Sequence, residues 1–209
     1  MKTIKEAEAI AGSLSKPSKM PGYAYGIPAQ RCNIGSKLVK IPNSVCSKCY
    51  ALKGRYVFPN VKAAQERRYQ SLTHPDWVDA MVLMIQKTKT EYFRWHDSGD
   101  IQGVWHLNNI VKIANRCPDV KFWIPTREKG YVSQWLLLNK TFPPNLVVRV
   151  SGAMLDGAPP KGFVHTSTVT SKATNGAVGL CPAPQQDGRC ADCRRCWDGS
   201  VDNVSYSKH

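Results

Sequence analysis

Acidic residues are scarce in this chain: 15 Asp and Glu stand against 29 Lys and Arg, for a formal net charge of +14. Long apolar runs are missing as well. The longest, such as Met81 to Ile85 and Trp135 to Leu138, are far below the roughly 20 residues that a membrane-spanning helix needs. The first residues, Met1 to Glu8, have no apolar stretch of the kind a secretion signal carries. No internal repeat and no low-complexity tract is present. These absences predict a soluble cytoplasmic protein with no membrane partner. In that compartment thiols stay reduced, so the eight cysteines read as metal ligands before disulfides.

What is there fits a folded protein. At 209 residues, with 42% apolar residues and six tryptophans, the chain is one domain, or one with a small appendage, and can bury a substantial core. The charge is uneven: residues 1–72 hold thirteen Lys and Arg against three acids. A basic first third invites a nucleic-acid partner, or a small anionic substrate, or a solvated basic face. A local reading also exists. Thiolate-bound clusters are anionic, and Lys48, Lys53 and Arg55 flank one cysteine pair while Arg189, Arg194 and Arg195 flank the other group.

The C-terminal run Cys181-Pro-Ala-Pro-Gln-Gln-Asp-Gly-Arg-Cys190-Ala-Asp-Cys193-Arg-Arg-Cys196-Trp197 is the densest chemistry in the chain. C-x-x-C-x-x-C with one remote cysteine is the pattern of bacterial ferredoxins; four cysteines also suit a tetrahedral zinc site. The same spacing is poor for disulfides, whose Cβ geometry is strict. Residues 182–189 have no apolar periodicity, so ligation is expected to order them. Cys32, Cys46 and Cys49 form a second, three-cysteine set. Cys117, before Pro118 and without a cysteine neighbour, reads as a buried structural thiol.

Along the chain, residues 1–12 are predicted helical, 16–30 a Pro/Gly/Tyr-rich loop, 60–72 a helix capped by Asn60, and 75–89 a helix. Thr73 is the expected cap of the last, and Trp77, Val78, Met81, Met84 and Ile85 its buried face. Strands are expected at Tyr92–His96, Val120–Pro125, Leu146–Ser151 and Phe163–Val169, with helices at Gly103–Arg116 and Tyr131–Asn139. Alternating strands and helices imply α/β architecture with a parallel sheet, here a partial or irregular (β/α) barrel with a Cys-rich C-terminal loop segment. In such barrels the loops after the strands build the site. They carry His96-Asp97-Ser98-Gly99-Asp100, then Thr126-Arg127-Glu128, then Ser151-Gly152, then Thr166-Ser167-Thr168. His96, Asp97, Asp100 and Arg127 are therefore candidate catalytic residues. A plain turn is the alternative for Asp97 to Asp100, because Asp-Ser-Gly-Asp is good turn chemistry.

Four stretches carry a family resemblance: Met20-Pro-Gly-Tyr-Ala-Tyr-Gly-Ile-Pro-Ala, Cys46-x-x-Cys49-Tyr-Ala-Leu-Lys-Gly-Arg-Tyr, Phe93-Arg-Trp-His-Asp-Ser-Gly-Asp, and Cys190-x-x-Cys193-x-x-Cys196-Trp. Together they resemble the bacteriophage gene product 88 family of viral iron–sulfur proteins. The resemblance implies a phage-encoded protein working in the host cytoplasm. It also implies an iron–sulfur cluster, of the 4Fe-4S type, held among Cys32, Cys46, Cys49, Cys181, Cys190, Cys193 and Cys196. Residues 1–180 would be an α/β iron–sulfur domain and 181–209 a metal-binding tail packed on it. The family is similar in outline to radical S-adenosylmethionine enzymes, with Ser98, Gly99 and Asp100 where those enzymes hold the methionine amino group. This sequence departs from their C-x-x-x-C-x-x-C signature, because position 42 is Pro.

Three functions compete. The first is redox or radical chemistry beside an open cluster. The second is a non-enzymatic electron carrier or cluster-dependent interaction module, with a redox partner. The third is a zinc-stabilised nucleic-acid-binding protein that stacks bases on Tyr23, Tyr25 and Tyr56.

Overall fold

Six short strands carry the architecture: β1 (Tyr23–Tyr25), β2 (Tyr92–Trp95), β3 (Lys121–Thr126), β4 (Leu146–Ser151), β5 (Thr166–Thr170) and β6 (Asn203–Ser207). In the computed structural model, which describes residues 2–172 and 179–208, they form one sheet in chain order, β1 and β6 at its edges. Every neighbouring pair is parallel. The helices are α1 (Ile4–Ala11), α2 (Asn33–Leu38), α3 (Pro59–Ser71), α4 (Trp77–Thr88), α5 (Val104–Arg116) and α6 (Lys129–Asn139).

Period-two alternation gives each strand two faces. Phe93 and Trp95, Phe122 and Ile124, and Val148 and Val150 line one face, in register across β2, β3 and β4. They join Trp77, Met81 and Ile85 of α4 and Leu107 and Ile110 of α5 in a single core. Each such buried side chain stabilises by about 1.5–3 kcal/mol. Arg94, Trp123 and Arg149 alternate with these residues and so face the other way. The C-terminal segment covers that second face: the Trp197 ring stands edge-on to Trp123, centroids 5.2 Å apart, and its Nε1 donates to the Phe93 carbonyl at 2.9 Å.

The expected helices and the four expected strands are present, with local corrections. Phe58 caps α3 and Pro59 occupies its first turn, so Asn60 lies inside the helix and its side chain instead accepts from the Val61 amide. Asp76, not Thr73, precedes α4. β5 starts three residues later than expected, because Phe163 to His165 approach the sheet as irregular, bent chain. Two strands escaped the sequence. β1 lies within the segment read as a loop, where three residues between prolines carry too little alternation to register. β6 follows the cysteine run and pairs with β5 over five residues, so 181–209 contributes an edge of the main sheet.

Candidate metal centre

Cys32, Cys46 and Cys49 come from the segment between β1 and α3, a short helix followed by tight 3₁₀ turns. Gly35, in α2, lets this segment fold on itself. A Cβ there would stand 2.9 Å from the Cys32 Cβ and 3.8 Å from the Cys46 Sγ. Burial, then the nearby Asp100, Cys49, Cys46 and Glu128, hold the Cys32 thiol well above the usual thiol range. Burial raises Cys46 too, against the pull of the Arg127 cation. The three thiols are thus near neighbours at the end of β2 and β3, where Asp100 and Arg127 lie.

The second set lies on the sheet face opposite the helix core. Burial pushes the Cys196 thiol up to about 12, partly offset by a hydrogen bond with Tyr206, with Cys181 raising it further and Arg149 and Arg94 lowering it. The Tyr206 hydroxyl is 3.2 Å from the Cys196 Sγ. Burial also raises Cys190, with Cys181 and Cys193 adding to the effect and Arg94 and Arg194 opposing it. Cys181 responds to burial and to Cys193 in the same sense, against Arg195. Four thiols therefore share one neighbourhood with four arginines.

Two arginines line this neighbourhood, Arg149 buried and Arg94 half-buried. Arg149 is fully buried. Its guanidinium donates to the carbonyls of Arg195, Cys196, Asp198, Val201 and Asp202 at 2.7–3.3 Å. Arg94 lies over the Trp123 ring at 4.7 Å and donates to the Tyr50 hydroxyl at 3.1 Å. Burial works against its charge, but Tyr50, Asp97, Tyr206 and Tyr56 outweigh it and raise its pKa. Arg94 thus touches the residue after Cys49 on one side and acts on Cys190 and Cys196 on the other.

The loop after β2 is built tightly. His96 has a left-handed backbone, φ 54°, an uncommon conformation outside glycine. Its ring is buried among Trp95 and His106, and neither ring nitrogen has a hydrogen-bond partner. Burial, His106 and Arg94 keep it neutral. The Asp97 carbonyl accepts from the Tyr50 hydroxyl at 2.6 Å. Ser98 is buried, its carbonyl accepting from Ile27 and its Oγ unpartnered. Gly99 is required: φ is +81° and a Cβ would meet the Ile27 Cγ1 at 2.3 Å. Asp100 accepts from Thr126 Oγ1 at 2.6 Å, the Ile101 amide at 2.8 Å and the Arg127 amide at 2.8 Å. Its carboxylate ties the end of β2 to the end of β3.

Residues 2–199 match the family described as Gene product 88. The chain belongs to that family. Among curated proteins and among solved structures no match was found. In this Gene product 88 protein, among the described residues, no three or more His, Cys, Asp or Glu side chains are arranged to hold a metal ion. The C-terminal thiols are grouped beside arginines, and the Tyr206 hydroxyl lies 3.2 Å from the Cys196 Sγ. Cys117 stands apart, in the helix core, with its thiol raised by burial to about 11.

Sequence reasoning named Glu128 only as a polar strand end, without a role, and missed Arg149 and Tyr206. Glu128 is buried and accepts from the Ile34 amide at 2.8 Å, anchoring α2 beside Cys32. Arg149 had a legible signal: it is the one charge in Leu146-Val-Val-Arg-Val-Ser151, and a charge inside a buried strand must have partners. Tyr206 had none, because its role depends on β6 pairing.

Proposed function

We propose that this protein binds an iron–sulfur cluster through its grouped cysteines and works as a one-electron redox protein. The observation that carries the reading is the cluster of Cys181, Cys190, Cys193 and Cys196 on one sheet face, in the field of Arg94, Arg149, Arg194 and Arg195. Burial first, and neighbouring thiols after it, raise the Cys181, Cys190 and Cys196 thiols, so forming several thiolates here without a metal is unfavourable. Ligand thiolates reverse that balance, and metal-binding free energy then contributes to folding. The reading requires side-chain rotation to bring the sulfurs to one point. Cys32, Cys46 and Cys49 would hold a second, three-thiol centre.

An iron–sulfur cluster, when bound, supplies one-electron oxidation and reduction. The chain does the rest. Arg94 and Arg149 offset the negative charge of thiolates, and Tyr206 is placed to donate a hydrogen bond to the Cys196 sulfur, an interaction that tunes such centres. The full engagement of Asp100 in hydrogen bonds favours an electron carrier over an enzyme that binds a substrate amine, adenosylmethionine included, on this loop. A second reading, a small-molecule site, draws on the unpartnered, buried His96 nitrogens and Ser98 Oγ. We read the sheet as the wall of a partial barrel, and the protein as phage-encoded and acting in the host cytoplasm.

Iron, acid-labile sulfide and zinc are measured in anaerobically purified protein. Iron and sulfide are expected together, with loss of iron in Cys193→Ser or Cys49→Ser and retention in Cys117→Ala. Stoichiometric zinc without sulfide overturns the reading and favours a zinc-stabilised nucleic-acid binder.

A further inference from the structure

Arg94, Arg127 and Arg149 come from three neighbouring strands or their ends, and none makes an ion pair among the described residues. Two of them are satisfied in other ways. Arg149 donates to backbone carbonyls. Arg94 donates to the Tyr50 hydroxyl and covers the Trp123 ring. Arg127 is half-buried, and its Nε is buried without a partner. Its bonds among the described residues are those of its backbone, to Asp100 and Lys129. The neighbouring acids are engaged elsewhere: Asp100 accepts from Thr126 and from the Ile101 and Arg127 amides, and Glu128 from the Ile34 amide.

A hydroxyl pair stands at the same end of the sheet. β3 and β4 run in register to Thr126 opposite Val150, so Arg127 leaves the sheet at the level of Ser151. Ser151 pairs in turn with Ser167 of β5, and their Oγ atoms are 2.9 Å apart. One hydroxyl hydrogen joins the two oxygens, which leaves the other free to donate. The Cys46 turn closes the far side. The Val45 amide donates to the Ala153 carbonyl at 2.9 Å, two residues past Ser151, and the Arg127 charge opposes the rise that burial causes in the Cys46 thiol. Parallel sheets place their ligands at this end of the strands.

A part-buried guanidinium without a counter-ion is unfavourable, and its planar fork matches a carboxylate or a phosphate. Charge decides between them. Asp100 and Glu128 are near enough to act, after burial, on the Cys32 thiol beside this site. They would repel the second charge of a phosphate dianion.

We propose that Arg127, with the Ser151–Ser167 pair, binds the carboxylate of a small organic acid. The guanidinium takes both carboxylate oxygens, and the spare hydroxyl donates to one of them. Nothing in the site needs a metal, so it stands apart from the iron–sulfur reading.

The test is phenylglyoxal labelling of the purified full chain, read residue by residue by mass spectrometry at an ionic strength held constant with chloride. Acetate, pyruvate and benzoate are the probes; acetamide and inorganic phosphate are the comparators. A carboxylate probe is expected to slow labelling of Arg127 several-fold and to leave exposed Arg55 and Arg189 unchanged. Acetamide is expected to have no effect, and phosphate to protect less. The same carboxylate is expected to raise the melting temperature of the wild-type chain but not of Arg127→Gln. Ser151→Ala/Ser167→Ala is expected to weaken protection by about tenfold, the worth of one hydrogen bond to a charged group. Circular dichroism confirms that both variants are folded. Unchanged Arg127 labelling together with an unmoved melting temperature for every carboxylate overturns the proposal. So does protection by phosphate at lower concentration than by any carboxylate, or undiminished protection in the serine variant. Iron is measured on the same samples. Carboxylate protection in a chain without iron keeps the site and removes the iron–sulfur reading. Loss of iron in Arg127→Gln, with no protection of the wild-type chain, assigns the guanidinium to the thiolates and overturns the proposal.

Discussion

The Arg149 Nε–H donates to the carbonyl oxygen of Cys196, 3.1 Å away, joining the middle of the sheet to the last cysteine of the C-terminal run. A buried charge is costly unless its hydrogen bonds are complete. Here the guanidinium is spent wholly on backbone carbonyls of residues 195–202 and, at the limit of bonding distance, Thr166. It therefore shapes the cysteine segment rather than pairing with an acid, and the four thiols take their places on the sheet face because this loop is pinned there.

Replacing Arg149 by Met fills much of the volume and removes every one of these bonds. Several part-buried carbonyls lose their donor, and each that water does not reach costs about 1–3 kcal/mol in desolvation. We expect a loss of at least about 3 kcal/mol, read as a melting temperature lower by roughly 6–12 °C. We also expect proteolysis to begin within 190–202. A thermal melt superimposable on wild type would show that the loop is held by other contacts.

Two glycines with positive φ separate strain from collision. Gly99 has both, whereas Gly54, at φ +59°, has nothing within 4 Å of its Cβ position. Gly54→Ala is expected to cost about 1 kcal/mol. Gly99→Ala must also displace Ile27 and is expected to cost about 2 kcal/mol more, in the range of overpacked cores. Denaturant midpoints measure the difference, and equal costs would contradict the close approach of the β2 loop to Ile27.

Two buried histidines make the fold acid-sensitive. Burial lowers His106 to about 3 and keeps His96 well below its ordinary range, while an unfolded histidine titrates near 6.5. Below about pH 6.5 the unfolded chain therefore binds more protons, and stability falls as pH falls. Each histidine contributes a slope of about 1.4 kcal/mol per pH unit, continuing for His106 down to about pH 3. Urea unfolding at pH 7.5, 6.0 and 5.0 measures it. His106→Gln is expected to flatten the slope, and a slope unchanged in that variant would assign the acid sensitivity elsewhere.

Much of this was legible in the sequence. Helices such as α4 and α5 show a strong apolar face, and β4 is a run of branched apolar residues interrupted by Arg149, whose bounds were read to the residue. The spacing of Cys190, Cys193 and Cys196 is local and needs no fold to be seen. The Asp97–Asp100 loop was legible as a polar cluster after a strand, but its chemistry was not. Whether Asp100 is free or consumed depends on Thr126 and Arg127, which reach it only because β2 and β3 are neighbours.

By itself, then, the sequence determined the α/β alternation, the two cysteine sets, the basic first third and the kinship with gene product 88 proteins. Each is written in residue type and short-range period. Only the tertiary structure decided that β1 and β6 are the edges of the sheet, that the C-terminal segment lies on the face opposite the helices, and that Arg94 stands between the two thiol groups. Those outcomes arise from pairing and burial across tens of residues. A three-residue strand has too little period to announce itself, and a buried arginine finds its partners only once the chain has closed around it.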